Sequence, residues 1–68
     1  MMNRYFTVAI QKEESWYVAK CLENSVASQG NSIDEATENL REALTLFYDE
    51  EPAPAFLQTF VTTLEVAL

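Results

Sequence analysis

The side chains that could carry out chemistry are one thiol, that of Cys21, and eleven carboxylates, and the chain contains no histidine. A thiol becomes a nucleophile when a neighbouring base removes its proton, and histidine is the usual base. Without an imidazole, Cys21 has no activating partner. A lone cysteine at the end of a strand is most often a small buried apolar residue, and this is the role that we expect for Cys21.

The carboxylates outnumber the basic side chains, eleven against four, and give a formal net charge of −7. This charge repels phosphate backbones, so direct DNA or RNA binding is not expected. It complements a basic protein partner, because opposite charges speed encounter and reject wrong partners. The simpler alternative is that the charge serves solubility alone. From exposure and charge, the residues expected at a partner-binding surface are Glu13, Glu14, Trp16, Glu23, Gln29, Asp49, Glu50 and Glu51.

Several of these candidates also have a purely structural interpretation. Glu13 and Glu14 fit a solvated turn as well as an acidic rim facing a partner. Trp16 fits either partial burial under its own sheet or an anchor in an interface. The acidic run at 49–51 stands where the helix dipole disfavours negative charge. That run indicates either a frayed, solvated helix end or contact with Lys or Arg of a partner.

A chain of 68 residues forms one domain at most, and a domain this short buries only about 60% of the surface that its unfolded form exposes. A homo-oligomer, a dimer or higher, is therefore expected. The single cysteine favours the cytoplasm, because small domains in oxidising compartments usually contain several. No stretch has the length and apolar character of a signal sequence or a membrane span.

Alternating apolar and polar residues predict two strands near the N-terminus, over about 5–11 and about 16–21. Both are rich in aromatic and β-branched residues, which favour pleated, half-buried surfaces. The polar stretch between them contains neither Gly nor Pro. We therefore expect an antiparallel hairpin with a loop of about three to five residues, and not a tight two-residue turn.

A short third strand is predicted over about 26–29, ended by Gly30, and a helix over about 33–49. The helix begins with a capping box, in which the Ser32 hydroxyl accepts from an early backbone N–H and Glu35 reaches back. Two prolines beyond it cannot continue a helix. The apolar residues that recur at helical spacing and face a sheet are Ile33, Ala36, Leu40, Ala43, Leu44 and Phe47.

Residues 60–67 alternate once more and predict a final strand. The resulting fold class is α+β, a two-layer β-β-β-α-β sandwich. It consists of a three-stranded antiparallel sheet plus the C-terminal strand, with one helix on one face and a right-handed crossover. A final strand that lies parallel to the first and beside it gives the sheet order 3-2-1-4. Strands three and four are then edges, which invite pairing with another chain.

Three short motifs follow one another in this chain, "YVA" in the second strand, "SQG" before the helix, and "EATENLREA" within it. They resemble the HicB-type antitoxins, whose N-terminal domain has a "Y-V-A" strand, an "S-Q-G" turn and an "E-A-x-x-N-L-x-E-A" helix. The resemblance covers about residues 5–47. The residues that carry it are Tyr17, Val18, Ala19, Ser28, Gln29, Gly30, Glu35, Ala36, Asn39, Leu40, Glu42 and Ala43.

The resemblance implies a truncated RNase H-like fold without nuclease activity. It also implies a function, which is to bind a small basic RNase toxin, HicA, and neutralise it by occlusion. The alternative is a solitary HicB-like domain that self-associates and has an unknown protein partner. Most full-length members carry a further C-terminal DNA-binding domain. We expect this chain to be a single HicB-like domain over 1–68 without one, so operator binding is not expected.

We expect neither catalytic activity nor a bound metal ion or cofactor. A nuclease site of the RNase H type needs several carboxylates around two metal ions, one of them from the first strand. The stretch from Tyr5 to Ile10 contains none.

The motif residues have structural roles that account for most of the resemblance. Gly30 is expected to take a backbone angle closed to other residues, while Ser32 and Glu35 cap the helix. The motifs therefore specify the fold. A direct binding role is left for Gln29 and Asn39, whose amides lack an obvious local partner.

Overall fold

The computed structural model of the chain describes residues 4–50 and 58–68, with Glu50 described by its backbone alone. In these residues it forms an α+β fold of one three-stranded antiparallel sheet and one helix, which confirms that part of the prediction. The elements are β1 (Val8–Glu13), β2 (Trp16–Cys21), β3 (Ala27–Gly30) and α1 (Ile33–Glu50). No helix in this part of the chain is long and apolar enough to cross a membrane.

The hairpin between β1 and β2 turns more tightly than predicted. Its last paired residues are Glu13 and Trp16, so Glu14 and Ser15 alone form the turn. A tight hairpin turn needs a residue with a left-handed backbone, and Glu14 provides it with φ of 44°. The expected loop of three to five residues was wrong because a residue other than glycine can adopt this conformation, at a cost of about 1–2 kcal/mol.

The outer strands are displaced slightly from their predicted ranges. β1 begins at Val8 and not near residue 5, while β3 covers Ala27–Gly30 instead of 26–29. The regular pairing of β1 with β2 ends at the pair formed by Val8 and Cys21. One further backbone hydrogen bond, from the Leu22 N–H to the Thr7 carbonyl at 2.9 Å, holds the segment before β1.

The core lies between α1 and one face of the sheet. Its fully buried side chains are Ala19, Cys21, Ala36 and Leu40, and three of the four are small. Small residues on both surfaces allow the helix to approach the sheet closely. Around this centre pack the partly buried Phe6, Val8, Tyr17, Val26 and Leu44. Cys21 is buried, as the sequence predicts.

Gly30, the last residue of β3, is required for space and not for an unusual backbone angle. Its φ lies outside the left-handed region, which corrects the prediction. A Cβ atom at this position would lie 2.6 Å from the backbone nitrogen of Ala36 and 2.9 Å from the carbonyl carbon of Glu35. These atoms belong to the first turn of α1 and cannot move independently of the helix. Gly30 therefore determines how closely α1 packs on β3.

The start of α1 carries the predicted cap with one difference. The Ser32 hydroxyl accepts a hydrogen bond from the Glu35 N–H at 3.0 Å. The Glu35 carboxylate reaches back to the N–H of Asn31 at 2.7 Å, one residue before the N-cap. Two of the backbone donors at this end of the helix are thus satisfied.

Residues 58–68 form no hydrogen-bonded strand, although a strand is predicted over 60–67. Among the described residues the sheet order is 1-2-3, and neither the fourth strand nor the order 3-2-1-4 is shown. The large apolar side chains of the segment are exposed, Phe60 to 83% and Leu64 to 84%. Alternation indicates that a segment can form a strand, but pairing also requires a neighbouring edge, which alternation does not specify.

Replacing Gly30 with alanine should destabilise the fold, because the new methyl group would meet the backbone of α1. Overpacking of this kind costs about 1–3 kcal/mol, and we expect the free energy of unfolding, measured by urea titration of the circular dichroism, to fall accordingly. Gln29→Ala, at the neighbouring exposed position, is the control and should change stability by less than about 0.5 kcal/mol. A Gly30→Ala protein as stable as its parent would contradict the role of Gly30.

At the hairpin turn, Glu14→Gly should be more stable than Glu14→Ala. Both changes remove the same charge, but only glycine adopts φ of 44° without steric cost. The left-handed conformation costs alanine about 1–2 kcal/mol. Glycine loses more conformational entropy on folding, which costs about 0.5–1 kcal/mol of free energy, so the expected difference in stability is roughly 0.5–1 kcal/mol. Urea titration of the two proteins side by side measures it. Equal stabilities would mean that the turn relaxes to a different geometry.

Candidate protein-binding surface

The two faces of the sheet differ, because alternate residues of each strand point to opposite sides. One face carries Ala19 and Cys21 and is covered by α1. We call the opposite side the open face, and no other described element packs over it. It consists of Ala9, Gln11, Glu13, Trp16, Val18, Lys20, Ala27 and Gln29. All of these residues except Val18 are exposed.

Trp16 is the largest apolar side chain on the open face and is 43% exposed. It pairs across the hairpin with Glu13, and the exposed Glu14 follows in the turn. A half-exposed indole offers a large apolar area and an N–H donor. The neighbouring carboxylates can accept charge-assisted hydrogen bonds from Lys or Arg. This end of the open face therefore offers a large apolar side chain beside two carboxylates, a combination that protein interfaces use.

Gln29 and Asn39, the two amides without an obvious partner in the sequence, differ in their positions. The Gln29 side chain is exposed on the open face, where the residue pairs with Val18. The Asn39 side chain donates from Nδ2 to the backbone carbonyl of Gln29 at 2.8 Å. This hydrogen bond ties α1 to β3, so Asn39 has a structural role that sequence spacing did not reveal. Gln29 remains a candidate for partner contact.

Glu23 does not lie on the candidate surface, which corrects its predicted role. The residue is 4% exposed, and its Oε1 accepts from the Thr7 N–H at 2.8 Å and from the Cys21 thiol at 3.5 Å. These contacts join the loop after β2 to the segment before β1. The sequence placed Glu23 at a partner-binding surface from its charge, but the partly buried backbone donor of Thr7 needs an acceptor, and Glu23 provides it.

Burial and hydrogen bonding hold these two neighbouring groups in the protonation states that suit their packing. The hydrogen bond from Thr7 lowers the pKa of the Glu23 carboxyl below its ordinary value, so the carboxylate stays ionised. Burial raises the pKa of the Cys21 thiol above its ordinary value, so the thiol stays protonated. Since the thiolate is the nucleophilic form, a protonated and buried Cys21 is a packing residue.

Asp49, near the end of α1, lies away from the open face. Asp49 is exposed and borders a groove between α1 and the segment before β1. The side chain of Glu50 and the whole of Glu51 lie outside the described residues. α1 continues through Glu50 and has no basic residue in its last turn. The carboxylate of Asp49 therefore stands at the negative end of the helix dipole.

A second acidic surface, absent from the predicted partner residues, follows the outer side of α1. Asp34, Glu38 and Glu42 recur every four residues and are exposed. Arg41 approaches Glu38 to 3.6 Å and offsets part of this charge. Carboxylates four residues apart repel one another by about 0.2–0.5 kcal/mol per pair in a helix. The four-residue spacing was the sequence signal that could have identified this surface.

Tyr48 connects the end of α1 to two other parts of the chain. Its hydroxyl accepts a hydrogen bond from Asn24 Nδ2, in the loop between β2 and β3, at 3.0 Å. Its ring centroid lies 5.6 Å from that of Phe6, and the guanidinium carbon of Arg4 lies 5.9 Å from the same ring. These contacts position the segment before β1 against the helix.

The chemistry that these groups offer is recognition by apolar contact and charge. Within residues 4–50 and 58–68, no group of three or more histidine, cysteine, aspartate or glutamate side chains could hold a metal ion.

No protein-family model, no curated protein and no solved structure matches the chain.

Acid should destabilise the fold partly through Glu23. Its pKa is lower in the folded than in the unfolded state, so its contribution is present above the unfolded pKa and is lost as the pH falls through the folded pKa. Glu23→Gln keeps an acceptor oxygen for Thr7 but cannot titrate. We expect its free energy of unfolding, measured by urea titration from about pH 7 to about pH 3, to decline less steeply than that of the parent.

Glu42→Gln, which removes the same charge from an exposed side chain, is the control for this pH series. It should decline more steeply than Glu23→Gln. A Glu23→Gln protein with the parental slope would show that Glu23 does not favour the folded state when ionised.

Proposed function

We propose that the chain is a HicB-like antitoxin module, which binds a small basic HicA-type RNase toxin and neutralises it by occluding its active surface. The observation that carries the proposal is the open face, where the half-exposed Trp16 lies beside Glu13. A toxin with an apolar pocket and a basic rim would bury the indole and pair with the carboxylate. The net charge of −7 adds attraction at longer range.

The motifs support the proposal through the surface that they help to build. Gly30 admits α1 to close packing, Glu35 caps the helix, and Asn39 ties it to β3. These contacts confine α1 to one side of the sheet. The opposite side of the sheet is left open. Trp16 and Gln29 lie there on paired strands and not on loops, so the sheet fixes their positions. A partner can thus meet a preformed surface, at little cost in ordering.

The proposal also includes a fourth strand, the oligomeric state, the cellular location and the absence of catalysis. Residues 60–67 form a fourth strand beside β1, in a truncated RNase H-like β-β-β-α-β sheet of order 3-2-1-4. The protein is a cytoplasmic homo-oligomer that acts by binding, is not an enzyme and does not contact DNA directly. The apolar alternation and exposure of the segment support the strand. The lack of histidine and the protonated state of Cys21 support a binding role.

A second candidate is a HicB-like domain that self-associates and has a different, unknown protein partner. The exposed apolar side chains of 60–68 favour it, because self-association would bury them whether or not a toxin exists. The two candidates differ in one measurable property. Only an antitoxin must bind a basic RNase and stop it from cleaving RNA.

The test of the antitoxin function is co-expression with a small basic HicA-type RNase, sought among the proteins encoded next to this chain. We expect the two to co-purify and the complex to lack the RNase activity of the free toxin. Trp16→Ala should raise the dissociation constant roughly 30-fold or more, because truncating a buried interface tryptophan usually costs at least about 2 kcal/mol. Calorimetric titration measures the affinity, and circular dichroism verifies that the variant folds.

Two charge variants separate a specific surface from general attraction. Glu13→Lys and Glu42→Lys change the net charge equally, but the first lies on the open face and the second on the outer side of α1. We expect Glu13→Lys to weaken toxin binding roughly tenfold more than Glu42→Lys. Equal losses would contradict the open face as the binding surface. An RNase that stays active in the presence of the chain would contradict the antitoxin function itself.

A further inference from the structure

The two edges of the sheet differ in how they are protected. β3 has four residues and leads directly into α1, whose Asn39 donates to the backbone of Gln29. β1 has six residues, and all of them except Val8 are exposed. A long exposed edge strand presents a row of backbone donors and acceptors that another strand can pair with. The outer edge of β1 is therefore the pairing edge of this sheet.

A groove of about 950 Å³ lies beside the start of this edge, on the helix side of the sheet. Its apolar lining includes Phe6, Val8, Leu40 and Leu44. Arg4, Arg41 and Asp49 add charges of both signs to the lining. The groove exists because α1 packs mainly over β2 and β3 and leaves the inner side of β1 partly uncovered. Ile10, which continues the same side of β1, is 38% exposed. A strand added beside β1 would place its inward side chains in this groove.

The segment 60–68 has the properties of such a strand. The side chains of Phe60, Leu64 and Val66 share one side of an alternating pattern, together with Thr62 and Leu68, and they are 83%, 84% and 61% exposed. Glu65 is the only charged residue in the segment. Two copies that each carry a charge of −7 repel one another least where they meet through nearly neutral surfaces.

We propose that the segment 60–68 of one copy pairs with the outer edge of β1 in a second copy and places its apolar row in that copy's groove. Within one chain every residue of the segment is exposed. The Cα radius of gyration is 13.8 Å, compared with about 11 Å for a compact chain of this length. Reciprocal exchange about a two-fold axis fills both grooves and pairs both β1 edges. The inference rests on the proposed position of the fourth strand beside β1, and it does not depend on a toxin.

Light scattering on matched variants of the full chain tests the dimer. Leu64→Asp places a charge in the apolar row, whereas Thr63→Asp places the same charge on the opposite side of the segment. We expect dimers for the parent and for Thr63→Asp. Leu64→Asp should raise the dimer dissociation constant at least about 100-fold, because each dimer contains the change twice. A monomeric parent, or equal dissociation of both variants, would overturn the inference.

Circular dichroism accompanies this measurement, because Leu64→Asp should keep the helix. The buried core of Ala19, Cys21, Ala36 and Leu40 does not include the segment. A folded monomer from Leu64→Asp supports a role of Leu64 in the interface.

An isotope-filtered NMR experiment distinguishes exchange between copies from folding back within one copy. Protein labelled with heavy carbon and nitrogen is unfolded, mixed with unlabelled protein and refolded. We expect contacts between the segment methyl groups of Leu64 or Val66 in one copy and Val8 or Leu44 in the other. The same contacts found only within a single labelled chain would overturn the exchange and keep the fourth strand.

Absence of both kinds of contact would overturn the exchange and the fourth strand together. Toxin binding is measured separately, with the Leu64→Asp protein and its parent. The failure of strand exchange is therefore distinguishable from the failure of the antitoxin function.

Discussion

The close approach of α1 to β3 is the constraint on which the rest of this structure depends. It exists because Gly30 has no Cβ, which would otherwise lie 2.6 Å from the backbone of the first helical turn. From that contact the small side chains of Ala19 and Ala36 continue the tight packing and bring Leu40 into the centre of the core. The helix is thereby held over β2 and β3, and β1 lies at the margin of the two layers. Both the groove and the exposed β1 edge follow from this offset.

Local sequence patterns predicted the parts of the fold that local energetics determine. The Ser32 hydroxyl and the Glu35 carboxylate satisfy backbone donors within a few residues, so the start of α1 could be located from spacing alone. Features that depend on distant contacts could not be predicted in this way. Gly30 is a glycine because of a helix turn that packs on it, and Glu14 accepts a strained φ because the register of two strands demands a short turn. For the same reason, the predicted final strand has no paired neighbour among the described residues.

The candidate surface was predictable to the extent that charge and exposure coincide. Charge and exposure selected Trp16 and Glu13 from the sequence, and the strand register then pairs them across the hairpin on the same face. The buried position of Glu23 could not be predicted from the sequence, since its role as an acceptor depends on Thr7, sixteen residues away in the chain. Asn39 likewise has its partner, the Gln29 carbonyl, on another element. A carboxylate or an amide in a sequence thus indicates that a hydrogen bond can form. The fold decides whether the bond forms with solvent, with a partner or with the chain's own backbone.

The open face and the groove lie on opposite sides of the sheet, and this separation makes the two proposals compatible. A strand added beside β1 would direct one row of side chains into the groove and the other row, Val61, Thr63 and Glu65, toward the open face. The open face would then widen from three strands to four and gain a carboxylate. The part of the chain that the structure describes has four fully buried apolar side chains, which is a small core. Self-association would enlarge that core on one side of the sheet and leave the other side open to the proposed basic partner.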